Sequence, residues 1–249
     1  MPAIPATDLQ LVEVFSSIQG EGILIGRRQL FVRLADCNLS CAYCDTMHTA
    51  GPSWRAESTP GGTTQTEHPN PAVPADLIRL IGNWQSSLTH HSLALTGGEP
   101  LLQAAALSPW LSDASAILPV YLETNGTLPD ALAVVLPRVQ MISMDIKHAS
   151  TTGEPTPWAA HREFIARGGA KICQIKLILD AAMSAEELQE VAGFVHRYAP
   201  ATPFILQPRT LAGRPVLTGR PLLELHALAA AFHPQTLLIP QVHPLLAIN

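Results

Sequence analysis

The stretch "HSLALTGGEP", His91 to Pro100, sets the fold class. Its first six residues, apolar at Leu93, Ala94 and Leu95, are too few for a helix and are closed by a glycine turn, which reads as a short buried strand. The pattern recurs downstream: "ILPVYLET" runs into "NGT", and "VQMISMDIK", "AKICQIKLIL", "PFILQP" and "QTLLIP" read as further strands. Helical patterns lie between them. "ADLIRLIGNWQSSL" sets Leu77, Ile78, Ile81, Trp84 and Leu88 at helical spacing, and "PWAAHREFIARGG" ends in a glycine stop. "SAEELQEVAGFVHRYA" opens with a Ser184–Glu187 capping box, and "PLLELHALAAAF" follows. Such alternation predicts an α/β fold with a mainly parallel sheet, open or closed.

Upstream, "LQLVEVF" and "QLFVRLAD" read as a strand pair joined by "SSIQGEGILIGRR", with Gly20, Gly22 and Gly26 in the connection. Residues 50–74 are rich in Gly, Pro and Thr and lack periodicity. They predict a long surface loop within a single domain spanning 1–249, because the strand–helix pattern resumes directly after it. The expected architecture is a partial (β/α) barrel with the N-terminal strand pair flanking the parallel core. Polar and glycine-rich residues sit at the C-terminal ends of the strands, in "TGGEP", "ETNG", "DIK" and "LQPR". Parallel sheets place their sites on that edge, so one large site is expected there.

Composition excludes several function classes. At 249 residues and 47% hydrophobic the chain is able to bury a sizeable core, and its formal charge of −5 comes without any basic run. No dedicated nucleic-acid grip and no membrane partner are therefore expected. The start, "MPAIPATDLQLVEVF", has no basic region followed by an apolar one, so a cytoplasmic location is expected, where thiols stay reduced.

Three of the four cysteines, Cys37, Cys41 and Cys44, lie together in "CNLSCAYCD", behind the second strand, while Cys173 lies far off in "KICQIKLIL". With His48 the cluster spells C-x3-C-x2-C-x3-H, which suits a tetrahedral structural zinc in a non-catalytic binding module. That reading leaves the polar strand ends without a purpose. The sharper reading is an iron–sulfur cubane: three thiolates hold three irons and leave the fourth open to a ligand. Cys173 shares strand parity with Ile175 and Leu177 and reads as a small core residue.

C-x3-C-x2-C with Tyr43 before the third cysteine resembles the signature of radical S-adenosylmethionine (SAM) enzymes, and "TGGEP" resembles their SAM-holding glycine turn. Within that superfamily, "SSIQGEG", "FVRLADCNLSCAYCDT" and the ending "LLIPQVHPLLAIN" are similar to the 7-carboxy-7-deazaguanine synthase family, with Pro244 where Lys is common. The matches span essentially the whole chain. The resemblance implies a radical SAM barrel and a carbon–nitrogen lyase of queuosine or deazapurine biosynthesis. Such an enzyme converts 6-carboxy-5,6,7,8-tetrahydropterin to 7-carboxy-7-deazaguanine with loss of ammonia. It uses a 4Fe–4S cluster, SAM and Mg2+, a flavodoxin- or ferredoxin-type electron donor, and a homodimeric assembly.

Residue by residue, the resemblance puts the cluster on Cys37, Cys41 and Cys44 and the magnesium contact on Thr46. SAM falls to Tyr43, Asp45, Gly97, Gly98, Glu99, Glu123, Asn125, Asp145, Lys147 and Gln207; "DIK" stands where many relatives carry Ser-Pro-Lys. The pterin falls to Ile18, Gln19, Gly20, Glu21, Arg33, Thr96 and His243, and to Asn249, whose terminal carboxylate reaches substrate in relatives. Read alone, "GEG" is also an ordinary turn, and Arg33 in an apolar strand is equally a structural ion pair. A radical SAM activating enzyme acting on a protein glycine shares the cysteine spacing, but "IQGEG" and "PQVH" favour a small substrate.

Overall fold

The computed structural model describes residues 8–44, 46 and 48–248. Strands β1 (Leu11–Ile18) and β2 (Arg28–Leu34) pair antiparallel, as the sequence predicts. After the cysteine loop, β3 (Ser53–Glu57) and β4 (Gln65–Pro69) form an antiparallel hairpin, with β3 parallel to β1. Much of the expected surface loop at 50–74 is therefore sheet. The signal was weak for a physical reason. Only Trp54, Ala56 and Glu57 of β3 are buried, and β4 carries no large apolar side chain; Trp54 stacks instead on His68, 4.4 Å between centroids.

The alternating region follows as α1 (Pro74–Ser87), β5 (Ser92–Gly97), α2 (Ala104–Ile117), β6 (Val120–Thr124), α3 (Pro129–Val135) and β7 (Met141–Ile146). It continues through α4 (Ala149–Thr152), α5 (Trp158–Gly168), β8 (Ile172–Leu179), α6 (Ala185–Tyr198) and β9 (Phe204–Pro208). A small hairpin, β10 (Thr210–Leu211) and β11 (Arg214–Pro215), precedes α7 (Arg220–Phe232), β12 (Thr236–Leu238) and α8 (His243–Leu246). The capping box of α6 is present, with Ser184 N–H donating to Glu187 at 2.7 Å and Glu187 N–H returning to Ser184 Oγ at 3.2 Å. Lys171 clasps the chain between α3 and β7, donating to the carbonyls of Leu136 (2.6 Å) and Val139 (2.7 Å).

The ten-stranded sheet has the order β12-β9-β8-β7-β6-β5-β2-β1-β3-β4, and every neighbouring pair from β12 to β2 is parallel. It is open, with β12 and β4 at its edges, but strongly curled. Five strand spacings separate β1 from β8, about 24 Å in a flat sheet. Yet the backbone N–H of Ile23, in the turn after β1, donates to Gln174 of β8 at 2.7 Å. The expected partial barrel is thus present as a curled open sheet.

Side-chain alternation divides the curl. Leu30, Val32, Leu34, Leu93, Leu95, Leu122, Ile142, Met144, Ile175 and Leu177 join the large core under the helices. The intervening residues Phe15, Phe31, Ala94 and Tyr121 form a small second cluster on the concave face. Cys173 joins this inner cluster rather than the outer core. The parity argument fails there because the β7–β8 register slips between Ile142 and Ser143, a bulge that turns Cys173 inward.

Candidate active site

The cysteine loop is seated by glycines. Gly98 N–H donates to Leu34 O at 3.2 Å and Glu99 N–H to Asp36 O at 2.8 Å, so the turn after β5 lies directly against the chain entering the loop. A Cβ on Gly97, whose φ is +128°, would fall 2.1 Å from Leu34 O; one on Gly98 would fall 1.9 Å from Asp36 O and 3.1 Å from Cys37 Cβ. From the other side the segment after β7 holds the loop: Ser40 N–H donates to Glu154 at 2.6 Å and Ala42 N–H to Thr152 O at 2.9 Å. Cys37, Cys41 and Cys44 are free thiols, and burial pushes the first two above the usual thiol range.

Glu99 lies behind this wall rather than in it. Its fully buried carboxylate accepts from Asn125 N–H (2.7 Å), Thr124 Oγ1 (2.8 Å) and Leu101 N–H (3.0 Å), so it supports the turns after β5 and β6. Burial outweighs these donors and raises its pKa to about 7. An acid so raised holds its proton longer when folded. Its contribution to stability is complete below the ordinary value of 4.5 and is lost as pH rises through about 7. Chemical denaturation is therefore expected to show wild-type stability falling relative to that of Glu99→Gln between pH 5 and pH 7.5. Equal slopes would refute this assignment.

A charged chain crosses the concave face. Glu21 bonds Lys176 of β8; Lys176 stands 3.6 Å from Asp145 Oδ1; Asp145 Oδ2 accepts from Lys147 at 2.8 Å; and Lys147 donates to the Tyr43 hydroxyl at 3.0 Å. Burial alone would raise the Glu21 carboxyl, but the Lys176 ammonium and the Gln241 amide hold it at about 2. Both lysines keep their protons, with pKa values raised by these carboxylates against the cost of burial. Gln19 Nε2 donates to Gln29 and to Glu123, each at 2.8 Å, and burial raises the Glu123 carboxyl.

These groups surround one cavity of about 250 Å3. From the N-terminal region it takes Ile18, Gln19, Gly20, Glu21 and Arg33; from the cysteine loop Cys37, Cys41, Tyr43, Cys44 and Thr46. From the strand ends it takes Thr96, Gly97, Gly98, Glu123, Asn125, Asp145, Lys147 and Gln207, and from the C-terminal segment His243. Of the sequence-predicted residues only Glu99 stands behind the lining, while Asp45 and Asn249 lie outside the described residues. Arg33 serves a structural pair as well, its Nε donating to Glu13 at 2.8 Å with the guanidinium 5.5 Å over the Phe15 ring.

Sequence reasoning missed Lys176, Arg209, Thr210 and Gln241, which also line the cavity. Lys176 carried a readable signal, a charge inside the apolar "QIKLIL".

The chemistry of the lining fits a polar ligand such as SAM beside a cysteine-held cluster. Gln207 Oε1 and Thr210 Oγ1 are buried without a hydrogen-bond partner, a costly state that a ligand donor relieves. The glycine pair leaves backbone exposed beside Cys37 where any Cβ would collide. Among the described residues no three His, Cys, Asp or Glu side chains are gathered to hold a single ion.

The family model of the radical SAM superfamily matches residues 32–187. A 7-carboxy-7-deazaguanine synthase of Geobacter sulfurreducens is 40% identical over 239 residues, 94% of this chain and 95% of that relative. One of Methanopyrus kandleri is 31% identical, with 97% and 94% covered. In fold, the chain is similar to QueE from Escherichia coli, with a TM-score of 0.57 at 20% identity and 94% of each chain covered. It is also similar to Streptococcus suis SuiB bound to S-adenosylmethionine, with a TM-score of 0.53 at 16% identity over 82% of this chain and 48% of that one.

Proposed function

This chain belongs to the 7-carboxy-7-deazaguanine synthase family of radical SAM enzymes, and from that membership we propose its reaction: ring contraction of 6-carboxy-5,6,7,8-tetrahydropterin to 7-carboxy-7-deazaguanine with loss of ammonia. The observation that supports this most is the meeting, in one cavity, of the three cysteines, the Gly97–Gly98 turn and the Ile18–Glu21 segment. When bound, the 4Fe–4S cluster and SAM supply hydrogen-atom abstraction, chemistry that no side chain offers.

The chain's own work is holding and orienting. Cys37, Cys41 and Cys44 hold the cluster. Gly97 and Gly98 bring backbone close to the methionine end of SAM, while Tyr43, Glu123, Asn125, Asp145, Lys147 and Gln207 line the remainder of its site. Asp145 already pairs with Lys147, so "DIK" supplies a neutral ion pair in place of Ser-Pro-Lys. Ile18, Gln19, Gly20, Glu21, Arg33, Thr96 and His243 face the pterin. Thr46 offers a hard oxygen to Mg2+ beside the substrate.

A flavodoxin- or ferredoxin-type protein delivers the electron. The assembly is a homodimer, a reading supported by α7: it is apolar over most of its length, yet only Ala229 is buried, and Leu223 is 67% exposed. The setting is cytoplasmic; no helix among the described residues is long and apolar enough to cross a membrane. Anaerobic turnover of reconstituted protein with the carboxy-tetrahydropterin, followed by mass spectrometry, is expected to yield 7-carboxy-7-deazaguanine. SAM cleavage without that product would refute the assignment.

A further inference from the structure

Glu21 is held from two sides. Val242 N–H donates to Gly20 O at 2.9 Å, and a Cβ on Gly20 would fall 2.5 Å from His243 Nδ1. On the other side Gly22, at φ +62°, leaves the space that the Gln174 amide fills; a Cβ there would fall 2.2 Å from it. The glycines of "GEG" therefore admit the C-terminal segment and β8 against the same short turn. Between them, Gln241 Nε2 donates to Glu21 Oε1 at 2.7 Å and Lys176 Nζ donates to Oε2. The resulting row along the cavity wall reads donor, acceptor, acceptor, donor.

We propose that Gln241, Glu21 and Lys176 act together as the reader of a 2-amino-4-oxo pyrimidine edge, with Lys176 the specificity residue for the 4-oxo group. The inference rests on the pterin reading above. A pterin presents the complementary row: N1 accepts, the 2-amino group and N3–H donate, and O4 accepts. A carboxylate has about four lone-pair sites, so Glu21 takes the two substrate donors while keeping its flanking partners. The Gln241 amide reaches N1 and the Lys176 ammonium reaches O4. Asp145, 3.6 Å behind Lys176, balances that charge. A 2-oxo ring turns an acceptor toward the carboxylate, and a 4-amino ring turns a donor toward the ammonium; both leave a buried group facing its like.

The test uses anaerobically reconstituted protein with SAM and three fluorescent or absorbing probes: pterin-6-carboxylate, its 2,4-dioxo analogue and its 2,4-diamino analogue. Wild-type protein is expected to bind the pterin at least roughly tenfold more tightly than either analogue. Lys176→Met is expected to lower pterin affinity about ten- to a hundredfold while changing affinity for the 2,4-diamino probe less than about threefold. A purely structural staple would lower both in proportion. Proportional loss in the variant, or equal binding of the three probes by the wild type, overturns the proposal even when the wild type still makes product from the carboxy-tetrahydropterin. Failure of that wild-type turnover would instead remove the functional reading itself.

Discussion

Replacing any one of Cys37, Cys41 and Cys44 by Ala is expected to abolish SAM cleavage, a loss of several orders of magnitude. The three thiols sit in a loop whose backbone is fixed by Glu154, Thr152 and the glycine turn, and the fourth cysteine, Cys173, belongs to β8. Cys173 is the internal control. It packs in the concave aromatic cluster, its Sγ 3.3 Å from Ile142 O, and burial raises its pKa to about 11. Cys173→Ala is expected to keep the iron and sulfide content and the cluster absorption spectrum of the wild type. Retained iron in a Cys37, Cys41 or Cys44 variant, or lost iron in the Cys173 variant, would overturn the ligand assignment.

The second large effect is expected at Gly98. An added methyl group there would meet Asp36 O at 1.9 Å, and backbone cannot yield as a flexible side chain does. Gly98→Ala is expected to cost roughly 3 kcal/mol of stability and to remove detectable SAM binding, because the turn must lift away from the cysteine loop. Gly193, in the middle of α6, has open space where a Cβ would stand, and Gly193→Ala is expected to raise stability by about 0.5–1 kcal/mol. Denaturant titration of both variants, with equilibrium dialysis of SAM, checks the pair. Unimpaired SAM binding by Gly98→Ala would contradict the close-approach account.

The legible parts of the fold were those where burial writes a pattern. Buried parallel strands such as "LALT" and "FILQ" produce short apolar runs, and amphipathic helices such as α1 and α6 produce spacing. The glycine turn and the cysteine spacing were legible because the chemistry restricts residue type. The hairpin β3–β4 was hidden because an edge strand of Gln, Thr, Glu, His and Pro needs no apolar face. Helix α2 was hidden because alanines surround it and Pro109 interrupts it. Lys176 escaped for a different reason: its charge inside an apolar run signals that a partner is needed but not which one, and that partner, Glu21, lies more than 150 positions away in the sequence. The choice posed for Arg33 between substrate and structure was false, since a guanidinium with several donors faces Glu13 and the cavity at once.

The lysines have a practical bearing on how this protein is to be handled. Lys147, Lys171 and Lys176 are the only ones in the sequence, and each ammonium is tied down, two in the charged chain of the concave face and one on the carbonyls before β7. Acylating dyes, biotin esters and amine-coupled sensor chips thus find no freely solvated lysine side chain on this surface. Forced labelling would strike the cavity or the clasp and report damage as loss of binding. Carboxyl-directed coupling at an exposed acid such as Asp130, at the start of α3 and assigned no ligand contact, attaches the molecule without touching its lysines.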